Sequence, residues 1–386
     1  MKVIFVCYPT DESSAPHPAM AVATLARMGH EVIYLAWGNL PPAKWLDDCI
    51  GRIQHRLCPK RGILSALGFL FEVVPTILSA KPDCVLVEGA QQTPFALWLL
   101  GLPRKFQLIY QTQNVVGPGQ SWIYESCEGL FARHCDWVIV NEPNRARFFQ
   151  CIYRLKKTPE VIRTALPALW PVPERTASYR DEVVLALGLA NVKQLKLIAA
   201  GGGYRDDRMS PQLVEALLHL PKNYIVVFSD WPGSDGRRRC EEQVRKLKLE
   251  GRVVFREAPG FAGMMKMLTA CDIGIMLYPD TAIGHFYQSP GRLTEYLRCG
   301  VPIVTSKFPG LELLFLKYGL GETAIPDSSE SIAEAIRKIG EIPVPEIEHW
   351  RKRLQETALG ELAYETQALP VFEKVFGAAF RETSAV

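Results

Sequence analysis

Arg292 and Glu295 stand three residues apart behind Ser289-Pro290-Gly291. In a helix, residues at that spacing share a face, so a guanidinium and a carboxylate would point the same way about one turn apart. Ser289 is expected to cap this helix, with Pro290 at its first position. Leu293, Tyr296 and Leu297 keep helical spacing, and Gly300 is expected to end the helix before a buried strand that begins near Val301-Pro302. Exposed N–H groups at the helix start, the helix dipole and Arg292 together favour a phosphate. Glu295 can accept hydrogen bonds from sugar hydroxyls. An anion at the helix start and a diol at the carboxylate describe a nucleoside diphosphate. Many ordinary helices also begin Ser-Pro and end in Gly, so the reading needs support from elsewhere in the chain.

That support lies upstream, in Leu197-Ile-Ala-Ala-Gly-Gly-Gly-Tyr-Arg-Asp-Asp-Arg-Met-Ser-Pro211. A buried strand runs into Gly201, Gly202 and Gly203, then Arg205 and Arg208, then a helix opening at Ser210-Pro211. Glycines let the backbone approach a ligand closely. Arginines can hold a diphosphate through bidentate hydrogen bonds. The loop has neither the Gly-Lys-Ser/Thr of a P-loop nor dinucleotide GxGxxG spacing. Among the other candidates, His285 follows Asp280-Thr-Ala-Ile-Gly284 in a loop and could touch a sugar. Glu257 follows a strand and is expected to line a base pocket through its backbone. His17 and Asp230 read more simply as turn residues. No His, Cys or Asp group has metal-ligand spacing, so no metal or other cofactor is expected.

These residues need elements to position them. Continuous apolar runs occur at Lys2–Tyr8, Glu31–Ala36, Cys84–Glu88, Phe106–Gln111 and Trp137–Asn141, as in parallel strands buried on both faces. Helical patterns separate them at Met20–Met28, Ile63–Leu78, Phe95–Leu100 and Trp122–His134. The segment Pro167–Arg180, with Pro167, Pro171 and Pro173, breaks the pattern and predicts a domain boundary with no helix of its own. Alternation then restarts with strands at Leu195–Ala200, Tyr224–Ser229, Val253–Arg256, Ile273–Leu277 and Pro302–Thr305. The fold class is α/β, with two doubly wound parallel sheets and a ligand cleft expected at the carboxyl ends of their strands. The domains are expected at 1–168 and 182–365. A helical tail continues from about Ile347 to Phe380, of which 366–386 is expected to return to the first domain.

A length of 386 residues suits two domains, and 48% apolar content can fill two cores. A net charge of +3 is too small to argue for nucleic acid. Residues 1–170 are mildly basic, with 17 Lys and Arg against 13 Asp and Glu. Ten scattered cysteines without a CxxC imply reduced thiols and a cytoplasmic setting. Ile63–Ala80 is interrupted by Glu72 and Pro75, too broken for a membrane span. It reads first as a buried helix and second as an interfacial one preceded by Arg52, Arg56, Lys60 and Arg61. The second reading would bring peripheral contact with the cytoplasmic membrane through the first domain.

The glycine turn with Arg208, the run Ala270-Cys-Asp-Ile-Gly-Ile275, and Gly291-Arg-Leu-Thr-Glu-Tyr-Leu-Arg-Cys-Gly-Val-Pro-Ile-Val304 resemble the retaining, family-four glycosyltransferases of GT-B fold. Tyr110-Gln-Thr-Gln-Asn114, then Trp122 and Glu125, then Cys135-Asp-Trp-Val-Ile-Val-Asn141 are similar to the acceptor-domain pattern of some members. The resemblance implies two Rossmann-like domains that close over a UDP-sugar, with the acceptor, a glycan or a lipid-linked glycan, on the first. It implies transfer of a hexose, glucose as the first choice, with retention of configuration and without a metal. Glu295 then matches the family's ribose-binding glutamate. Arg292 and Arg208 face the diphosphate, assisted by Arg205. The backbone of Pro290, Gly291, Arg292 and Leu293 binds the distal phosphate, and Gln113 stands where many members carry a histidine near the sugar.

Two departures stand against the pattern. The first glutamate of the family's Glu-x7-Glu falls at Tyr287, so that contact would pass to Gln288 or His285. The early Gly-Gly loop is replaced by Asp11-Glu-Ser-Ser-Ala-Pro-His-Pro18. Two other readings remain at this point: a UDP-sugar 2-epimerase of the same shape, and a non-catalytic sugar-nucleotide-binding protein.

Overall fold

The computed structural model describes residues 1–7, 17–37, 48–58, 64–102, 104–113, 122–189, 194–229, 234–257 and 260–383. The chain divides into two compact units: Met1–Pro167 with Tyr364–Val386, and Ala168–Ala363.

The first unit holds seven parallel strands: β1 Lys2–Cys7, β2 Glu31–Trp37, β3 Ile53–Cys58, β4 Cys84–Glu88, β5 Gln107–Thr112, β6 Trp137–Val140 and β7 Glu160–Val161. Their order is β3-β2-β1-β4-β5-β6-β7, so the winding reverses between β1 and β4. Alternate side chains feed two cores. Val3, Phe5, Leu86 and Ile109 pack with the helices His17–Arg27 and Tyr364–Thr383, the latter contributing Phe372 and Phe376. Ile4, Val85, Leu108 and Tyr110 pack on the other face with Phe131 and Phe149. Burial on both faces is why these strands read as unbroken apolar runs.

The second unit repeats the plan with six parallel strands: β8 Lys196–Ala200, β9 Tyr224–Ser229, β10 Val253–Arg256, β11 Ile273–Met276, β12 Ile303–Ser306 and β13 Gly321–Ala324. Their order is β10-β9-β8-β11-β12-β13, reversing between β8 and β11. Both sheets are doubly wound, as the alternation predicted.

At the amino end of β11, Asp272 gathers three arginines. Arg180 donates to both carboxylate oxygens at 3.0 and 2.8 Å, and Arg175 to Oδ1 at 3.0 Å. Arg351 approaches Oδ1 at 3.4 Å. Arg175 and Arg180 also bond the carbonyls of Thr269, Ala270 and Cys271, which end the helix Gly260–Ala270. One largely enclosed carboxylate thereby ties the start of the unit, a helix end and the helix Val344–Leu359 together.

Three strands were not predicted: β3, β7 and β13. All three lie at sheet edges. Their sequences, Ile-Gln-His-Arg-Leu-Cys, Glu-Val and Gly-Glu-Thr-Ala, are polar or short and carry no apolar run. The proline segment also differs from expectation, because a helix starts inside it at Ala177, capped by Thr176 accepting from the Tyr179 N–H at 3.1 Å. The predicted helix from Ile347 to Phe380 is two helices, Val344–Leu359 and Tyr364–Thr383. Among the described residues, no helix is long and apolar enough to cross a membrane.

Candidate functional site

The helix Gly291–Arg298 is anchored from below. Tyr296 is fully buried, and its hydroxyl donates to the Ala199 carbonyl oxygen at 2.9 Å, with that of Ile275 at 3.2 Å. The contact spans β8 and β11, where the winding reverses. A Cβ at Gly274 would lie 2.7 Å from the Tyr296 ring, so only glycine lets the helix sit this close to β11. Leu293 and Leu297, which keep helical spacing, are buried. The helix ends with Gly300 at φ +65°, its N–H donating to Leu297 and that of Val301 to Tyr296. This paired arrangement requires a left-handed residue, hence glycine.

The helix start corrects the sequence reading. Pro290, extended at φ −76° and ψ 137°, occupies the cap position, and Gly291 is the first helical residue. Ser289 lies one residue outside and is buried, and the cap residue Pro290 makes no side-chain cap bond. The ring of Pro290 carries no N–H, so the leading donors are the amides of Gly291 and Arg292.

The glycine loop and this helix meet. A Cβ on Gly201 would stand 2.9 Å from Arg292 Nε and 2.9 Å from the Tyr296 hydroxyl. Gly202, at φ +128°, faces open space, a conformation that side chains rarely adopt. Arg292 Nη1 touches Met264 Sδ and lies 2.6 Å from Glu295 Oε2. This last contact is an ion pair without hydrogen-bond geometry, since Oε2 has no hydrogen-bond partner. Burial raises the Glu295 carboxyl above its ordinary value, and the charge of Arg292 only partly opposes that.

A second cluster sits along the same loop. Arg205 grips Asp207 through two bonds, Nε to Oδ1 at 2.8 Å and Nη2 to Oδ2 at 2.7 Å. Arg208 donates to the Asp207 carbonyl at 2.8 Å and lies 4.9 Å over the Tyr278 ring. His285 stacks against the same ring at 5.9 Å. Partial burial works to raise the Asp207 carboxyl, but Arg205, Arg208 and His285 outweigh it and hold it low. Glu257 is exposed just past β10, while Tyr287 and Gln288 are half-buried. The backbone of Tyr287 and Gln288 packs on Gly310, where a Cβ would lie 2.9 Å from Tyr287 Cα. Gly201 to Gly203, Arg205, Arg208, Glu257, His285 and Arg292 thus all stand beyond the carboxyl ends of the second unit's strands. Asp230 and most of Asp11–Pro18 lie outside the described residues, as does Asn114.

Gln113 belongs to the first unit, beyond β5. Its Nε2 donates to Glu88 Oε1 at 3.0 Å, and its Oε1 accepts from Thr164 Oγ1 at 3.2 Å. Its carbonyl accepts from Asn141 Nδ2 at 2.9 Å and Arg145 Nη1 at 2.7 Å. Burial lifts the Glu88 carboxyl to about 8, against the hydrogen bond from Gln113. Sequence reasoning missed Glu88, Arg145 and Thr164. A signal existed at Glu88: an acid closing the apolar run Cys-Val-Leu-Val, followed by Gly89 at φ +95°. Glu128 was also missed. It is fully buried and accepts from the hydroxyls of Tyr110 at 2.5 Å and Tyr153 at 2.6 Å. Trp122 is exposed and Glu125 half-buried at the start of the same helix.

Residues 14–163 match the model of the glycosyl transferase 4-like domain. No curated protein matches the chain. Among solved structures, HepE of Anabaena in complex with UDP is similar over 98% of this chain and 100% of its own, with a TM-score of 0.76 and 16% identity. Sucrose-phosphate synthase from Thermosynechococcus elongatus covers the same shares at a TM-score of 0.72 and 17% identity. WaaG, a glycosyltransferase involved in lipopolysaccharide biosynthesis, covers 96% of this chain and 99% of its own at 0.66 and 16%. The two doubly wound sheets and these likenesses make the fold GT-B.

Proposed function

We propose that this protein is a glycosyltransferase that moves a hexose from a UDP-sugar to a glycan or lipid-linked acceptor. The observation that carries the reading is the meeting of Gly201, Arg292 and Glu295 at one helix start. That corner offers cationic side chains and amides for a diphosphate, and a buried carboxylate for a ribose diol. The similar HepE has been solved with UDP-glucose, which supports UDP-glucose as the first donor to try.

In this reading the donor replaces an internal contact. The diphosphate draws Arg292 off Glu295, and the freed carboxylate accepts the ribose hydroxyls instead. The half-buried Arg292 and the buried Glu295 both keep partners, so donor binding leaves no orphaned charge. Arg208, lying over Tyr278, is the second cation for the diphosphate, and Arg205 is held by Asp207 until it is needed. As the sugar–phosphate bond breaks, charge grows on the leaving diphosphate, and fixed cations and amides stabilise it without a metal. The acceptor hydroxyl loses its proton to the departing phosphate, with retention of configuration and no protein nucleophile. The first unit takes the acceptor, with Gln113 at the carboxyl edge of its sheet. His285 and Gln288 supply the sugar contact absent at Tyr287.

The test is release of UDP from UDP-glucose with a crude lipid or glycan extract as acceptor. Acceptor-dependent release is expected. Conversion of the nucleotide sugar without acceptor would favour an epimerase, and tight binding without any turnover would favour a binding protein.

A further inference from the structure

We propose that Glu88 is a positioning residue for Gln113, accepting its amide hydrogen bond and so fixing the direction in which that amide faces the acceptor. The inference rests on the role given above to Gln113. Both ends of the amide are held, Nε2 by Glu88 Oε1 at 3.0 Å and Oε1 by Thr164 Oγ1 at 3.2 Å. Its backbone is pinned by Asn141 and Arg145. Turning the Gln113 side chain would break two bonds at once.

The place of Glu88 in the fold points the same way. It closes β4 and pairs in register with Cys7 at the end of β1. These are the strands between which the winding reverses, the point where open α/β sheets bind ligands. Glu88 is only 6% exposed, and its Oε2 has no hydrogen-bond partner beyond the Cys7 thiol beside it. The titratable groups facing it are Cys7 of β1, Tyr34 of β2 and Tyr364 of the last helix. None of them is a cation, which agrees with a carboxyl that stays neutral. A buried carboxyl oxygen whose only neighbour of this kind is a thiol is poorly satisfied, a cost that an apolar residue of the same shape would avoid. Local rules are broken in this way where function requires it.

The experiment compares kcat for UDP release from UDP-glucose, with the crude extract as acceptor, in Gln113→Ala, Glu88→Ala, the double variant and Glu88→Gln. Glu88→Ala should lower kcat about tenfold in the wild-type background and less than about twofold in Gln113→Ala, because coupled residues are not additive. Glu88→Gln keeps a carbonyl oxygen for Gln113 Nε2 and should recover most of the loss. A wild-type rate in Gln113→Ala sinks the functional reading on which the proposal stands. An impaired Gln113→Ala in which Glu88→Ala still costs tenfold sinks the positioning alone. The Gln113 side-chain amide signal in NMR, identified by its loss in Gln113→Ala, gives a readout independent of turnover. It should titrate with the Glu88 carboxyl at about 8 in the wild type and stay flat in Glu88→Gln. A flat signal in the wild type overturns the proposal whatever the rates.

Discussion

Arg292 Nη1 and Glu295 Oε2 lie 2.6 Å apart, so the cation assigned to a diphosphate and the carboxylate assigned to a ribose neutralise each other while the site is empty. The pair aims both groups at one corner, where the charge of Arg292 offsets part of the cost of burying the Glu295 carboxylate.

Losing Arg292 should therefore do two kinds of damage. Arg292→Ala removes a donor to the leaving group, worth about 2.7–4 kcal/mol in the barrier or a hundred- to thousandfold in rate. It also leaves Glu295 without its cation, so the variant should melt lower. Arg208→Ala should slow transfer by a similar factor with little change in melting, because its side chain is 41% exposed. Glu295→Ala should weaken UDP affinity by calorimetry. Wild-type rates in both arginine variants would remove the diphosphate assignment.

Gly201→Ala is a gentler probe of the same corner. The new methyl would sit 2.9 Å from Arg292 Nε and from the Tyr296 hydroxyl. Arg292 can swing away, but Tyr296 is fully buried and hydrogen-bonded, so overpacking should cost about 1–3 kcal/mol. The displaced arginine should raise KM for the UDP-sugar. A variant with unchanged melting and unchanged KM would show that the loop and the helix do not touch in solution.

Asp272→Ala should loosen the second unit. Three arginines would lose their shared carboxylate, at about 3 kcal/mol, the low end for a broken buried pair because Arg175 and Arg180 are partly exposed. Burial works to raise the Asp272 carboxyl, yet Arg180, Arg175 and Arg351 outweigh it and depress it below 3.8. Its stabilisation is thus present above that value and disappears as the pH falls through the folded one. Acid melts of wild type and variant should converge. A constant gap down to strongly acidic pH would contradict this account.

The first unit should respond to pH in the opposite sense. Burial raises Glu128 to about 7 and Glu88 to about 8, both above an unfolded value of 4.5. Between 4.5 and those values the folded chain keeps protons that the unfolded chain has released. Stability from these groups is complete below 4.5 and falls as the pH rises, by up to about 1.4 kcal/mol per unit for each group. It is gone above about 8. Denaturant unfolding of wild type against Glu88→Gln/Glu128→Gln at mildly acidic and mildly alkaline pH measures it. Equal slopes in the two proteins would refute it.

Much of this was legible in the sequence because burial on both faces writes itself as apolar runs. β1, β4 and β8 have no polar interruption, and their winding follows from the alternation of elements. The Gly-Arg loop and Arg292–Glu295 were legible because glycine and charge at strand ends are locally odd. Glu88, Arg145, Thr164 and Asp272 were not, because their meaning lies in partners far along the chain. Asp272 meets Arg175, Arg180 and Arg351, which no local pattern connects. Edge strands escaped for the converse reason: with one side unpaired, they need no apolar signature. Ser289 was misplaced by one residue because Ser-Pro and Pro-Gly starts look alike until the backbone of Pro290 is seen.

The helix Tyr364–Thr383 supplies Ala368, Phe372 and Phe376 to the interior of the first unit, although nearly two hundred residues of the other unit intervene. A nascent chain leaves the ribosome in order, so the portion translated first waits longest for its final wall. The middle portion holds all six strands of its own sheet. Premature stop codons just before Tyr364 should consequently spare the central unit and leave the leading one with an open, chaperone-dependent interior.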